Sequence, residues 1–136
     1  MVDQGVISFL SKLHVGILSI PRQDRAPHST PVWYRYESDN TIWFLADPSS
    51  QKGKLLSVGS KLSFVVQSED IPYQYVSIEG IVTNVTRGDI ESDLRPIARF
   101  YLGERGGDEY VSQSGETTGN RYTVGINKVM SYGVGN

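Results

Sequence analysis

The sequence predicts a mainly β protein with a few helices, arranged as a small six-stranded barrel, closed or half-open, with helices covering its ends. Most of the chain consists of short runs rich in valine, isoleucine, tyrosine and threonine, separated by clusters of turn residues. One segment, residues 89–102, has the period of an amphipathic helix instead. A chain of 136 residues has room for about one core, so we predict a single domain over residues 1–136.

The amino-terminal segment predicts a short helix and then the first strand. Asp3 is a suitable N-cap residue. The apolar residues after it are spaced by three and four, which places on one helical face Val6, Phe9, Leu10 and Leu13. Residues 14–20 form a β-rich run that ends at Pro21. We therefore expect a helix packed across the sheet, a first strand, and a polar connection at residues 22–27.

Residues 27–46 predict a β-hairpin, and both tryptophans of the protein lie in it. Residues 27–37 alternate as one strand, with one face formed by Thr30, Val32, Tyr34 and Tyr36. Pro31 has no amide donor, so this strand is expected at an edge of the sheet or interrupted there. Ser38-Asp39-Asn40 predicts the turn. Residues 41–46 are apolar at most positions and predict a strand covered on both faces.

The segment after this hairpin predicts a short helix and two further strands. Asp47-Pro48-Ser49-Ser50 ends the preceding strand and offers caps for a helix over residues 51–57. Residues 61–67 and 71–87 are β-rich runs. Gly80 lies inside the second run and predicts a bulge or a tight bend.

The carboxyl-terminal part predicts one long helix, a loop and a last strand. Residues 89–102 place their apolar side chains on one stripe, and Pro96 fits such a helix only near its first turn. Gly103 is expected to end it. Residues 103–120 are rich in glycine, serine and threonine and predict a mobile loop or lid. Residues 121–134 alternate as a last barrel strand.

Composition argues against several classes of function. The net charge of -2 provides no broad basic surface, so neither nucleic acid nor an anionic membrane is expected as a partner. The absence of cysteine excludes disulfides, thiolate nucleophiles and cysteine-based metal sites. No long apolar segment or signal peptide is visible, so we expect a cytoplasmic protein. The two histidines, His14 and His28, do not have the spacing of a metal pair, and no metal site is predicted.

The turn at residues 49–54 is the strongest candidate in the sequence for a ligand-binding site. Serine hydroxyls, free amides at a helix start and two lysines, Lys52 and Lys54, form a local anion site suited to one phosphate. A solvated helix end whose lysines serve only solubility explains the same residues equally well. Aromatic residues occur on the strands beside this turn, and each one alone is more often part of a core. Together, the aromatic strands and the anion site suit a planar cofactor that bears a phosphate.

Two runs in the sequence carry a resemblance to a known family. Residues 27–33 read Pro-His-Ser-Thr-Pro-Val-Trp, and residues 72–80 read Pro-Tyr-Gln-Tyr-Val-Ser-Ile-Glu-Gly, with Ser50-Gln51-Lys52 between them. In this order they resemble the flavin and deazaflavin oxidoreductases of the pyridoxamine 5'-phosphate oxidase-like superfamily, in particular the branch that uses coenzyme F420. The similarity extends over residues 6–130. It implies a six-stranded split β-barrel of the FMN-binding, pyridoxamine phosphate oxidase-like class.

The resemblance also implies a homodimer with each cofactor in a groove at the subunit interface. The cofactor ring would be lined, largely through main-chain contacts, by Ser29, Thr30, Pro31 and Val32, with Trp33 beside them. The phosphate would be held by Ser50, Gln51 and Lys52, with Lys54 sharing that role. Substrate contacts are expected from Tyr75, from His28 and from the loop at 103–120. No proton donor is assigned, although Tyr75, Tyr101 and His28 are candidates.

The chain departs from the family pattern at two places. Asp24-Arg25 stands where relatives usually have Asp-Gly, and residues 55–60 contain none of the basic residues that often follow the lysine in deazaflavin-using relatives. The second departure raises the case for FMN, or for no cofactor at all. Three hypotheses follow: a reductase that transfers a hydride from reduced coenzyme F420 to an unsaturated small molecule, an FMN-dependent oxidase or reductase, and a non-catalytic dimer that binds the cofactor.

Overall fold

The computed structural model describes residues 2–115 and 117–134. Within these residues the chain forms seven strands and three helices. They are α1 (Gln4–Leu10), β1 (Gly16–Ile20), β2 (His28–Val32), β3 (Arg35–Glu37), β4 (Thr41–Ala46), α2 (Gln51–Leu55), β5 (Lys61–Ser68), β6 (Gln74–Arg87), α3 (Arg95–Gln113) and β7 (Asn120–Tyr132). A π-helical turn, Ile90–Leu94, leads into α3. No helix in this part of the chain is long and apolar enough to cross a membrane.

All seven strands belong to one antiparallel sheet in the order β2-β1-β5-β6-β7-β4-β3. Its two edge strands, β2 and β3, are consecutive in the chain, and only Trp33 and Tyr34 separate them. Three residue steps span at most about 11 Å, so the sheet must curl until its edges approach each other. The predicted mainly β fold with helices is confirmed. The predicted six strands are corrected to seven strands in an open sheet.

The extra strand arises because the predicted strand 27–37 is interrupted at Trp33 and Tyr34. The backbone N–H of Tyr34 donates to the hydroxyl of Tyr101, 67 residues further along the chain, at 3.0 Å. This bond removes Tyr34 from the ladder and divides the segment into β2 and β3. The expected edge position of the strand that contains Pro31 is confirmed.

The core lies on the inner face of the curled sheet. Among its fully buried side chains are Leu18, Phe44, Phe64, Ile78 and Val124. The ring of Tyr34 packs edge-on against Phe64, with 5.1 Å between centroids, and its hydroxyl donates to the carbonyl of Leu10 at 2.9 Å. Burial of the large apolar side chains supplies the main driving force for this arrangement.

Helix α1 covers one end of this core. The carboxylate of Asp3 accepts a hydrogen bond from the amide of Val6 at 3.0 Å, which confirms the predicted cap. The predicted apolar face is correct for Val6, Phe9 and Leu10, which are buried. It is wrong for Leu13, because the helix ends at Leu10 and the Leu13 side chain is 54% exposed.

Local features of the strands agree with the sequence. Asp39 and Asn40 have positive φ angles of 66° and 57°, as expected for the turn that joins β3 to β4. The predicted irregularity at Gly80 is a shift in the β6–β7 register between Glu79 and Gly80. A Cβ atom at Gly80 would lie 2.6 Å from the Val124 side chain, so the close approach of the strands requires glycine.

Helix α3 departs most from the sequence-based expectation. Gly103, with φ 82° and ψ 169°, breaks it as predicted, but the chain resumes a helix from residue 104 to Gln113 where a loop or lid was predicted. The two halves lie against each other, since a Cβ atom on Gly107 would be 2.5 Å from the backbone nitrogen of Arg99. Asp108 accepts hydrogen bonds from Arg99 and Arg95, which holds the halves together. The prediction of a loop over 103–120 is therefore wrong as far as residue 113.

Candidate functional site

A cleft of about 380 Å³ lies where edge strand β2, the end of β4 and helix α3 meet. Strands β2 and β4, each with the residue that follows it, contribute Pro31, Val32, Trp33, Leu45, Ala46 and Asp47. The N-cap of α2 contributes Ser50, and α2 itself contributes Lys52. The rest of the lining consists of Leu94, Ile97, Tyr110, Ser114 and the segment 117–119. Ligand pockets in proteins commonly enclose roughly 300–1,000 Å³, so the cleft has a suitable size for a small molecule.

One wall of the cleft is aromatic. The indole of Trp33 stacks on the ring of Tyr101 with 4.9 Å between centroids and an angle of 6° between planes. The ring of Tyr110, from the second half of α3, lies 5.2 Å from the same indole. Beneath this wall, Leu94, Ala98 and Val111 of the helical segment form a small apolar cluster. Each half of α3 therefore packs one tyrosine ring against Trp33, and together these contacts form the aromatic wall.

The hydroxyl of Tyr101 anchors this wall to the backbone. It lies 2.5 Å from the carbonyl oxygen of His14 and 3.0 Å from that of Tyr34, and it accepts the amide hydrogen of Tyr34. A tyrosine hydroxyl is protonated at neutral pH, and burial raises the pKa of Tyr101 further. That proton is available for the shorter contact to the His14 carbonyl.

The polar end of the cleft is a tightly bonded turn. The hydroxyl of Ser50 donates to the carbonyl of Asp47 at 2.6 Å and accepts from the amide of Gly53 at 3.1 Å, which confirms the predicted cap of α2. The carboxylate of Asp47 accepts from the amide and hydroxyl of Ser49, and these bonds lower its pKa. A Cβ atom on Gly53 would overlap the Asp47 carbonyl, so only glycine allows this packing. The turn holds Lys52 at the cleft.

The structure brings several predicted cofactor residues to this single cleft: Pro31, Val32, Trp33, Ser50 and Lys52. It places the neighbouring Gln51 and Lys54 on the exposed surface of α2, outside the residues that line the cleft. The hydroxyl of Ser50 donates its one proton to the carbonyl of Asp47, so it has none to donate to a ligand. Lys52 is therefore the charged donor that faces the cleft from this turn.

The remaining predicted residues lie outside the cleft lining. The hydroxyl of Ser29 lies 3.0 Å from that of Ser19 on the outer face of β2. Thr30 is half-buried in the same strand, and His28 begins the strand opposite Ile20. Tyr75 lies on the outer face of β6 and stacks on Tyr132 at 6.1 Å. These residues do not join Lys52 in the cleft within one described subunit.

Sequence reasoning missed most of the wall that α3 supplies. Tyr110 and Ser114 both lie in the segment 103–120 that was predicted as a loop, whereas the structure places Tyr110 in α3 and Ser114 at its carboxyl-terminal cap. Leu94 and Ile97 belonged to the predicted apolar stripe, but their position beside the cleft depends on how α3 packs. The best available signal was the tyrosine at 110 within a glycine-rich segment, because an aromatic residue there indicates packing.

An ion-pair network fixes the π-helical turn to the sheet beside the cleft. Arg121 of β7 donates to Asp93 at 2.9 Å and to Glu37 at 2.6 Å. Its guanidinium also lies over the ring of Trp43, 4.3 Å from the centroid. Asp93 is buried and accepts a further bond from the amide of Asp89. The network joins three elements that surround the start of α3.

A second cleft, of about 420 Å³, lies on the outer face of the sheet. Its lining includes Ser19, Lys61, Ser63 and Glu79, and none of the described residues that line it is aromatic. It offers hydrogen bonds and two opposite charges but no flat apolar wall. The cleft beside Trp33 combines an aromatic wall, an edge strand and one cation, so it suits a planar ligand with an anionic group better.

Comparisons with known proteins agree with this architecture. Residues 3–121 match the family model of pyridoxamine 5'-phosphate oxidase. Among solved structures, an F420 reductase superposes with a TM-score of 0.64 at 21% identity, covering 95% of this chain and 98% of that chain. A conserved hypothetical protein from Mycobacterium tuberculosis superposes with a TM-score of 0.72 at 22% identity, covering 97% and 84%.

A FAD-binding protein from Mycobacterium smegmatis superposes with a TM-score of 0.64 at 12% identity, covering 97% of this chain and 94% of that chain. No curated protein matches the sequence significantly. At these identities the structural similarities establish the fold. The family match extends across most of the described chain, from α1 to the start of β7. The chain therefore belongs to the pyridoxamine 5'-phosphate oxidase family.

Proposed function

We propose that the protein is an oxidoreductase that uses reduced coenzyme F420 to reduce an unsaturated small molecule, such as an enone or a conjugated ring system. The supporting observation is that Lys52 lines the same cleft as Pro31, Val32 and Trp33. When bound, the reduced deazaflavin supplies a hydride to an electron-poor double bond. The F420 reductase among the structural relatives is consistent with this choice.

Each part of the cleft has a separate task in this proposal. The ammonium of Lys52 binds the phosphate by a charge-assisted contact. The exposed edge of β2 offers backbone groups to the rim of the ring, although Pro31 itself has no donor. Trp33 provides a flat wall, and the apolar side chains of Leu94 and Ile97 add lining that excludes water.

The proposal takes solvent as the source of the proton. The hydroxyl of Tyr101 is engaged by the His14 carbonyl, and Tyr75 lies on the outer face of the sheet, outside the cleft of its own subunit. Tyr110 is the tyrosine among the residues that line the cleft, and it is 44% exposed. We propose that protons reach the substrate from solvent past Tyr110. Tyr110→Phe is then expected to retain most of the activity.

FMN is the alternative cofactor, and one observation favours it. Coenzyme F420 carries an anionic glutamyl tail beyond its phosphate, and basic residues would help to bind that tail. Residues 55–60 supply none, and Leu56 of that segment is buried in the core. A protein that binds FMN needs only the single phosphate contact. The third hypothesis is a dimer that binds either cofactor but catalyses no reaction.

We propose that the functional unit is a homodimer. The register places Pro31, Ile17 and Val65 in one row on the outer face of the sheet, and the row continues through Ser77 to Met130. Ile17 and Met130 are 43% and 55% exposed. Four of these five residues are apolar, and contiguous exposed apolar patches often mark a protein–protein interface. Because it starts at Pro31, a second copy packed on this face would lie beside the cleft.

Titration of the purified protein with coenzyme F420 and with FMN tests the proposal. Saturable quenching of cofactor fluorescence at micromolar concentrations of F420 supports the first reading if an enone, added to the complex of the reduced cofactor, then restores the visible absorbance band of the oxidised deazaflavin. Tight binding of FMN alone supports the second. If neither cofactor binds at micromolar concentrations, both enzyme readings fail.

A further inference from the structure

One tyrosine of α3 contacts both the backbone and the side chain that form the aromatic wall of the cleft. The hydroxyl of Tyr101 bonds the backbone of Tyr34 and of His14. Its ring stacks on Trp33 at 4.9 Å with the planes nearly parallel. Two independent contacts of one side chain therefore converge on the two-residue connection between β2 and β3.

The hydroxyl contact determines the direction of Trp33 through the backbone. The Tyr34 side chain is fully buried and bonded to Leu10, so it must point into the core. Neighbouring side chains in extended backbone point to opposite sides, and Trp33 consequently points away from the core, toward the cleft. The bond from the Tyr34 amide to Tyr101 holds the connection in this conformation in place of a ladder partner.

The ring contact determines the orientation of the indole. Tyr101 covers one face of Trp33, and Tyr110 approaches at a tilt of 48°. Behind Tyr101, the ring of Phe100 packs edge-on at 5.3 Å, and the guanidinium of Arg35 lies 3.7 Å from the Phe100 centroid. Packed aromatic rings of this kind restrict one another's rotation.

We propose that Tyr101 is a positioning residue for cofactor binding, which holds Trp33 and the adjacent end of β2 in the orientation that receives the ring of the cofactor. This inference rests on the proposed function. Tyr101 itself does not line the cleft, so its effect passes through Trp33 and the Tyr34 backbone. The hydroxyl contact can be removed while the ring contact is kept. The contributions of the hydroxyl and of the ring can therefore be measured separately.

The test combines two substitutions with two measurements. Tyr101→Phe removes the hydroxyl and keeps the ring, and Tyr101→Leu removes both. Cofactor dissociation constants are expected to rise roughly 5- to 10-fold for Tyr101→Phe, the effect of losing about one hydrogen bond, and further for Tyr101→Leu. Tyr73→Phe, at an exposed tyrosine outside the cleft, is the matched control and is expected to remain within 2-fold.

A spectroscopic measurement separates positioning from general stability. In protein labelled with 5-fluorotryptophan, each of the two tryptophans gives its own ¹⁹F resonance. Tyr101→Phe is expected to shift or broaden the Trp33 resonance and to leave that of Trp43 unchanged. If Tyr101→Phe does not fold, Phe100→Leu loosens the same stack while retaining the hydroxyl, and the Trp33 resonance must again respond selectively.

A double-mutant cycle decides whether the effect passes through Trp33. The loss of affinity caused by Tyr101→Phe is expected to shrink in a Trp33→Ala background. The inference is overturned if both substitutions weaken binding additively, or if Tyr101→Phe leaves either the affinity or the Trp33 resonance unchanged. If the wild-type protein binds neither F420 nor FMN, the proposed function fails, and the fluorine resonances still show whether Tyr101 orients Trp33.

Discussion

The sharpest prediction compares two lysines on one short helix. Lys52 lines the cleft and is half-buried, whereas Lys54, two residues later, is exposed and does not line it. Lys52→Ala and Lys54→Ala remove the same charge from the same helix. If the phosphate of the cofactor lies at the polar end of the cleft, only the first substitution removes a direct contact.

The expected magnitudes differ enough to be measured. Loss of a charge-assisted contact costs about 1–3 kcal/mol, or roughly a 5- to 150-fold increase in the dissociation constant. A charge about 10 Å away in water contributes ~0.4 kcal/mol before salt screening, which is about 2-fold. We therefore expect Lys52→Ala to weaken binding strongly and Lys54→Ala to change it by 2-fold or less.

Isothermal titration calorimetry with coenzyme F420 and with FMN, at low and at moderate ionic strength, provides the assay. The effect of Lys54→Ala should fade as salt is added, while most of the effect of Lys52→Ala should persist. Equal effects of the two substitutions would refute the direct contact and favour a merely solvated helix end. A larger effect at Lys54 would place the phosphate on the opposite side of α2.

Three further predictions concern the frame around the cleft. Gly107→Ala should destabilise the protein by about 1–3 kcal/mol in urea unfolding, because its Cβ atom would overlap the backbone of Arg99, whereas Gly106→Ala should have a smaller effect. Hydrogen bonds from Arg99 lower the pKa of Asp108 to about 2. Its contribution to stability is therefore present above pH ~4 and lost as the pH falls toward 2, and Asp108→Asn should flatten this part of the pH profile of unfolding. Ile17→Glu should convert the proposed dimer to monomers in sedimentation, and an unchanged mass would assign the interface elsewhere.

Local patterns were sufficient to predict most strands and both helix caps. Asp3 and Ser50 cap their helices as their residue types indicate, and the irregularity at Gly80 follows from the close approach of Val124. The division of residues 27–37 was not predictable in this way. It depends on Tyr101, a residue 67 positions away, whose hydroxyl takes the place of a strand partner.

Glycine was the main source of error in α3. Gly106 and Gly107 lower helix propensity, so the sequence predicted a loop there. In the structure, Gly107 permits close packing against Arg99, and tertiary contacts such as the Asp108 ion pairs compensate for the weak propensity. The same packing carries Tyr110 to the cleft, which explains why that wall was missed.

The candidate site was predictable in its residue types but not in its geometry. The family-like run at 27–33 and the turn at 49–54 identified Trp33, Ser50 and Lys52, which now line one cleft. The sequence could not distinguish Lys52 from Lys54, because both flank Gly53 on a helix of five residues. Their roles depend on how α2 packs against Asp47, which is a tertiary contact.

A crystal structure of the protein soaked with coenzyme F420, or with FMN, tests the central claim most directly. The proposal predicts that the ring lies along Pro31, Val32 and Trp33 and that the phosphate contacts the ammonium of Lys52. Density for the cofactor in the outer cleft beside Ser19 and Lys61, with the Trp33 cleft empty, would contradict it.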